Sequence, residues 1–443
     1  MAAAILTYLP RSMRDRLAAA TQTPGFNNTL WLFSDRLIRM GVGLVVGVWV
    51  ARYLGPAGYG LLSFTGSFVM LFSAIALFGL ESLVVRELVT EPDGSPCILG
   101  TTFVLRLASG AIAYLLAVGT IIVVRPADRT SLLLVALLGS SLLFQATEVI
   151  DLWFQSQVSS RYSVMARIAA FITASLAKIA CVMAGASLAA VGLATAFEAL
   201  VTACLMVLVY RIRGGRVTSW RWDGAQFRAL AGSAVPMVLS GIVLMIYLRV
   251  DQVMLGALAP EAQVGYYAAA VRISEVWYFV PAAIVSSVFP RIVELRAGDE
   301  TQFQLKLQRL YNLLAFLGYA VAVPVTLLAP WLVRLLFGSA YQPAAPLLAV
   351  LIWAGLFANL TVARNAHFIA LDWGRAQLWT ASAGAIANIL LNLLLIPRYG
   401  AMGAAAATCL SYWVAAHGAC YASRSLRPTA AMMVRALTMP RWW

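Results

Sequence analysis

Two distant stretches of this sequence repeat one pattern. ARYLGPAGYG, Ala51–Gly60, lies between two long apolar runs, and so does LGALAPEAQVGYY, Leu255–Tyr267. Each contains a Leu, a Pro two residues later and then a Gly-Tyr pair, and each apolar run that follows leads into an amphipathic stretch with an Arg, ESLVVRELV or SSVFPRIVEL. Gly and Pro punctuate helices, so each stretch is predicted to join two helices as a hairpin. The recurrence predicts a duplicated architecture.

The composition indicates a membrane protein. Charged residues make up 11% and apolar residues 62% of the chain, whereas soluble proteins contain about 25% charged residues. The mean hydropathy is +0.84, and apolar stretches long enough to cross a bilayer follow one another along the chain. The five cysteines form no CxxC pair, which favours neither a disulfide framework nor a metal site. We therefore predict an all-α integral membrane protein.

The apolar runs and the basic residues together predict a topology. We expect about 12 transmembrane helices, at residues 30–51, 60–80, 101–124, 131–150, 164–184, 188–210, 229–249, 265–290, 309–329, 344–371, 376–396 and 400–422. If the N-terminus is cytoplasmic, the cytoplasmic segments hold roughly four times as many Lys and Arg residues as the opposite side. This asymmetry predicts that both termini are cytoplasmic, and it accounts for the net charge of +14 without a nucleic-acid partner.

The repeat divides these helices into two lobes of six. Because six is an even number, the two lobes keep the same orientation and form a parallel internal repeat. The predicted organisation is a cytoplasmic tail, an N-lobe, a cytoplasmic linker, a C-lobe and a cytoplasmic C-terminal tail, at residues 1–26, 27–213, 214–228, 229–423 and 424–443. Two facing bundles favour a transporter that works by alternating access. No G-x-x-x-x-G-K-[ST], H-E-x-x-H or Ser/His/Asp pattern is found, so an enzyme is not expected.

Three stretches resemble a known family. They are Tyr247–Ile292 (YLRVDQVMLGALAPEAQVGYYAAAVRISEVWYFVPAAIVSSVFPRI), Glu148–Arg167 (EVIDLWFQSQVSSRYSVMAR) and Ile396–Thr408 (IPRYGAMGAAAAT). They are similar to the Wzx-type polysaccharide and O-antigen flippases, which share the MOP exporter superfamily with the MATE exporters and the lipid II flippases. The resemblance implies that the protein moves polyprenyl-diphosphate-linked oligosaccharides from the cytoplasmic to the periplasmic leaflet of the bacterial inner membrane. It further implies membrane lipids, a polysaccharide polymerase and chain-length proteins as partners.

Charged residues inside spans are the candidates for this function, because a charge in the membrane is costly unless it faces a cavity or a partner. A diphosphate headgroup calls for cations, and Arg can bind phosphate oxygens in a bidentate manner. The candidates for the headgroup path are Arg36, Arg39, Arg106, Lys178, Arg272 and Arg364. Structural alternatives remain open: Asp35 could pair with Arg39 within one helix, Arg36 and Arg106 could reach the headgroups of the inner leaflet, and Glu275 could neutralise Arg272.

Three further residues are candidates for coupling transport to an ion. Glu198 lies mid-span with no Lys or Arg within one helical turn, His367 shares a helix face with Arg364, and Glu275 follows Arg272. No cofactor is predicted other than a coupling H+ or Na+. Asp251 and Asp151 are interpreted as a loop-anchoring and an interfacial residue. The alternative function is a MATE-like, cation-coupled exporter of small organic molecules, which would need an acidic cavity.

Overall fold

The computed structural model describes residues 24–438, and it contains α-helices and short 3-10 helices but no strand within that range. Helices satisfy every backbone N–H and C=O within one segment, which is the condition for crossing a bilayer. The α-helices, in chain order, are α1 Pro24–Leu77, α2 Glu81–Thr90, α3 Ser95–Val124, α4 Arg129–Gly139, α5 Ser141–Phe144, α6 Val149–Ser156, α7 Arg161–Met183, α8 Leu188–Ile212, α9 Gly224–Leu258, α10 Glu261–Ser274, α11 Phe279–Gly298, α12 Glu300–Phe337, α13 Ala344–Ala370, α14 Gly374–Trp413, α15 Ala419–Ala422 and α16 Arg427–Thr438.

Ten helical stretches within the described residues are long and apolar enough to span a membrane. Two of them, α1 and the stretch that begins with α14, are interrupted by a glycine. Gly55 has φ 67° and ψ 176°, and Gly400 has φ 57° and ψ −132°; few residues other than glycine adopt such angles. The interruptions fall where the sequence predicts boundaries between spans. The all-α membrane fold is confirmed, while the count of twelve spans and their orientation stay predictions.

The two repeated turns contact each other. A Cβ atom added to Gly60 would lie 1.9 Å from the carbonyl oxygen of Glu261, and one added to Gly265 would lie 2.0 Å from that of Pro56. Each glycine therefore lets the backbone of the other turn approach to a distance that no side chain allows. Tyr53 in the same region donates a hydrogen bond of 2.7 Å to the carbonyl of Ala186. We call this end of the molecule the turn face.

The two halves of the chain also meet elsewhere. At the turn face, Arg52 Nε donates a 2.6 Å hydrogen bond to the Leu336 carbonyl. Toward the opposite end, the rings of Phe33 and Phe279 have centroids 6.3 Å apart, and a Cβ on Gly79 would lie 2.7 Å from Cβ of Met237. The halves thus touch at the turn face and also toward the opposite end of the helices. The exact boundaries of the two lobes stay predictions.

The predicted linker and C-terminal tail both contain helix. In the linker, the backbone N–H of Arg221 donates to the Pro96 carbonyl at 3.0 Å, and α9 already begins at Gly224. The C-terminal helix α16 packs its apolar face against α12, where Gln308 Nε2 donates to the Met432 carbonyl at 2.9 Å. Most of the predicted N-terminal tail, 1–23, and the last residues, 439–443, lie outside the described range.

Candidate functional site

A cavity lies among α1, α7, α8 and α10. Its volume is about 220 Å³, and its polar lining includes Tyr59, Ser175, Lys178, Thr195 and Arg272. A second cavity of about 180 Å³ shares Arg272 with it, and a third of about 250 Å³ shares Thr195. The three cavities are neighbours, and together they draw residues from both halves of the chain. We call the three together the central cavity.

Arg272 projects from α10 into the central cavity. Its Nη2 donates a 2.6 Å hydrogen bond to the carbonyl of Gly43 on α1. Gly43 and Gly47 leave room for the guanidinium, since a Cβ on Gly47 would lie 3.2 Å from Nη2. Glu275, the acid expected to neutralise Arg272, pairs instead with Arg249 at 3.6 Å. Arg272 forms no ion pair with any residue of 24–438, so its charge is directed at the cavity.

Glu198 joins two of the predicted cations. Its Oε1 lies 3.0 Å from Nη2 of Arg39, and its Oε2 lies 3.4 Å from Nζ of Lys178. The guanidinium of Arg39 also lies over the ring of Phe171, 5.0 Å from its centroid. Both cations lie on helices other than that of Glu198. The sequence around Glu198 therefore gives no sign of these pairs. Arg39, Lys178, Glu198, Arg272 and Glu275 are thus brought to one region of the protein.

Asp35 has a different partner from the one that helical spacing suggests. Arg167 on α7 forms ion pairs with both Asp35, at 3.4 Å, and Asp151, at 2.8 Å. The intrahelical Asp35–Arg39 pair is therefore not formed, and Asp151 is part of a partly buried three-residue ion cluster. An i,i+4 spacing permits a pair, but contacts between helices decide which pair forms.

The structure places Arg36 and Arg106 away from the central cavity. Arg36 is exposed on α1, beside the exposed Leu37 and Ile38. Arg106 is buried, with 1% of its surface exposed, and none of its guanidinium nitrogens has a hydrogen-bond partner among the described residues. Glu148 supplies the largest part of the compensating charge. Neither arginine lines the cavities described above.

Arg364 is buried against backbone carbonyls in the C-terminal half of the chain. It is 2% exposed, and its Nη1 donates to the carbonyls of Ala415 and Ala416 in the π-helix Val414–Gly418. A π-helix leaves carbonyls without their usual α-helical partners, and the guanidinium satisfies them. The expectation that Arg364 lines the headgroup path is therefore not supported by its position.

His367 is likewise buried in the C-terminal half. It is packed against the rings of Phe303 and Phe368, and its Nδ1 lies 3.5 Å from the hydroxyl of Tyr311. It lines none of the three cavities. Its assignment to ion coupling stays a prediction without support from position.

A buried polar network was not anticipated from the sequence. Asp251 on α9 accepts hydrogen bonds from the hydroxyls of Tyr267 and Thr408. Within α14, Asn388 before the break at Gly400 donates at 2.9 Å to Ser411 after it. Asp251 is thus held between three helices instead of anchoring a loop. No group of three or more His, Cys, Asp and Glu side chains within residues 24–438 is arranged to hold a metal ion.

Comparison with known proteins places the chain among flippases and transporters. The probable flippase AglR of Haloferax volcanii is 25% identical over 404 residues, covering 86% of this chain and 79% of the relative. The solved structure of the lipid II flippase MurJ in an inward closed conformation superimposes with a TM-score of 0.68, at 14% identity, covering 93% of this chain and 91% of MurJ. An inward-facing multidrug resistance MATE family transporter of the MOP superfamily gives a TM-score of 0.69 at 13% identity, covering 90% and 96% of the two chains.

These comparisons confirm the resemblance seen in the sequence. At such low identity the two solved structures show a shared fold and nothing finer. The relatives are named as flippases and transporters and not as enzymes, in agreement with the sequence. A family model described as "Polysaccharide biosynthesis protein" matches residues 26–296, more than half of the chain, and the protein therefore belongs to this family.

Proposed function

We propose that this protein flips polyprenyl-diphosphate-linked oligosaccharides across the cytoplasmic membrane for the assembly of a surface glycan. The observation that carries the proposal is the convergence of Arg39, Lys178 and Arg272 on the central cavity. Membership of a polysaccharide biosynthesis family and the similarity to a probable glycan biosynthesis flippase, Agl15 of Haloferax volcanii, support the same cargo.

The position of the cations suits a headgroup that crosses the bilayer. Counted along the helix, Glu198 lies about 15 Å from the start of α8, and Arg272 lies about 16 Å from the start of α10. The hydrocarbon core of a bilayer is about 30 Å thick. Both side chains are therefore close to the membrane centre, where charges persist only against partners or a polar cavity.

The charge of the cavity suits a diphosphate. With Glu198 ionised, the three cations leave a surplus of positive charge, since Glu275 is neutralised by Arg249. A diphosphate diester carries about two negative charges, and guanidinium groups bind phosphate oxygens through paired hydrogen bonds. The alternative cargo, a small organic cation, would be repelled by the same surplus.

The present conformation does not admit a bulky cargo. The three neighbouring cavities of about 180, 220 and 250 Å³ are each smaller than typical ligand pockets of 300–1,000 Å³. The halves of the chain touch on both sides of them. We infer that the halves must separate on one side to load the headgroup and on the other side to release it. A coupling H+ or Na+ is part of this proposal.

The test is mass spectrometry of membrane lipids after deletion of the gene, with the glycosyl-transfer genes intact. Deletion should cause a polyprenyl-diphosphate oligosaccharide to accumulate while the surface glycan disappears. Wild-type protein should reverse both changes, and Arg272→Ala should reverse neither although it is present in the membrane. An unchanged lipid pool together with increased sensitivity to organic cations would favour the exporter instead.

A further inference from the structure

Glu198 pairs with two of the three cavity cations. Each of its carboxylate oxygens faces one cation, Arg39 at 3.0 Å and Lys178 at 3.4 Å. Arg272, the third cation, forms no ion pair within residues 24–438 and donates to the backbone carbonyl of Gly43. One cavity cation is thus available to an anionic group, and two are paired with Glu198.

Unpaired cations near the membrane centre are costly, so Arg39 and Lys178 need an anion in every state of the transport cycle. The cargo can supply that anion only while it is bound. We propose that Glu198 is a built-in counter-anion, which holds Arg39 and Lys178 while the cavity is empty and yields them to the diphosphate of the cargo. This inference rests on the proposed function, because it requires an anionic cargo.

Other charged groups lie near this region, and each acid among them is compensated by a cation outside the central cavity. They are Asp35 and Arg39 on α1, Glu148 and Asp151 on the helical turns after α5, Arg167 and Lys178 on α7, and Arg272 and Glu275 on or next to α10. Asp35 and Asp151 share Arg167, Glu275 pairs with Arg249, and Glu148 compensates Arg106. Glu198 is the acid of this set whose cation partners line the central cavity.

The experiment is isothermal titration calorimetry of the purified full chain with farnesyl diphosphate, a soluble polyprenyl diphosphate, at about pH 8, where a terminal phosphate is ionised. Farnesol is the uncharged control ligand. The variants are Glu198→Gln and Glu198→Ala, so that the test survives if one of them fails to fold. Glu294→Gln is the matched control, because Glu294 forms an exposed ion pair with Arg291 at 2.7 Å outside the cavity.

Wild-type protein and Glu294→Gln should bind farnesyl diphosphate more tightly than farnesol. A folded Glu198 variant should bind the diphosphate about tenfold more tightly than wild type, a gain of about 1.4 kcal/mol. Equal or weaker binding of the diphosphate by a folded Glu198 variant would overturn the role of Glu198 alone. Equal binding of farnesol and farnesyl diphosphate by wild type would overturn the proposed cargo itself.

Discussion

Arg272 differs from the other cations of the central cavity because, among the described residues, it forms no ion pair and donates to a backbone carbonyl. Replacing it with Ala removes a charge that no ion pair depends on, so the folded state should lose little. We expect Arg272→Ala to weaken binding of farnesyl diphosphate at least tenfold, since charge-assisted hydrogen bonds contribute about 1.5–3 kcal/mol. Calorimetry measures the affinity and thermal unfolding measures the stability. Arg291→Ala, at an exposed ion pair, is the control that should change neither.

Arg364 should behave in the opposite way. Arg364→Ala leaves the Ala415 and Ala416 carbonyls of the π-helix without donors, and each buried, unsatisfied polar group costs about 1–3 kcal/mol. We expect a clear fall in the midpoint of thermal unfolding and an unchanged affinity of the remaining folded protein for farnesyl diphosphate. A loss of affinity for farnesyl diphosphate with unchanged thermal stability would instead support the role of Arg364 in the headgroup path that the sequence suggests.

The sequence alone identifies the charged residues of the site but not their partners. Arg39, Lys178, Arg272 and Glu198 are conspicuous because each is a charge within an apolar span. Their pairing depends on which helices are neighbours, and helical spacing carries no information about that. For the same reason Arg364, which has the same signature in the sequence, could not be distinguished from them: burial against backbone carbonyls leaves no local pattern.

At the scale of elements, the paired turns should be sensitive to any added side chain. A Cβ on Gly265 would overlap the Pro56 carbonyl oxygen at 2.0 Å, so Gly265→Ala must push the two turns apart. Overpacking of this kind costs about 1–3 kcal/mol, and we expect a lower midpoint of thermal unfolding. Gly41→Ala is the matched control, because a Cβ there meets no atom within 4 Å. Equal stability of the two variants would show that the turns can separate at no cost.

The repeat also shows what the sequence can predict about elements. Two similar turns indicate two similar hairpins, and the breaks at Gly55 and Gly400 fall between predicted spans. The contact between the turns through Gly60 and Gly265 depends on how the two halves pack. The sequence of one hairpin contains no information about that packing. The helix α16 was missed for a related reason: its apolar face is short, and its place against α12 is set by distant residues.

At the scale of the whole molecule, the proposed cycle requires the two halves to separate at the turn face. Arg52 on α1 contacts the Leu336 carbonyl on α12 at 2.6 Å, so cysteines at these two positions can be joined by a short cleavable cross-linker. The test uses a chain whose five free cysteines are replaced by Ser. We expect cross-linking to block transport and to cause the lipid-linked oligosaccharide to accumulate. A reducing agent should restore transport and remove the accumulation.

The control for this prediction is a pair within one half of the chain. Tyr53 and Ala186 also lie at the turn face, joined by a 2.7 Å hydrogen bond, but α1, α7 and α8 should move together in a rigid-body exchange between the halves. Cross-linking cysteines at 53 and 186 should therefore leave transport intact. If transport survives the link between 52 and 336 as well, release of the cargo does not require the turn face to open, and the lateral gaps between helices become the only route. If both cross-links block transport, the first half itself must deform during the cycle. A cross-link within a rigid body would not oppose the rotation of that body.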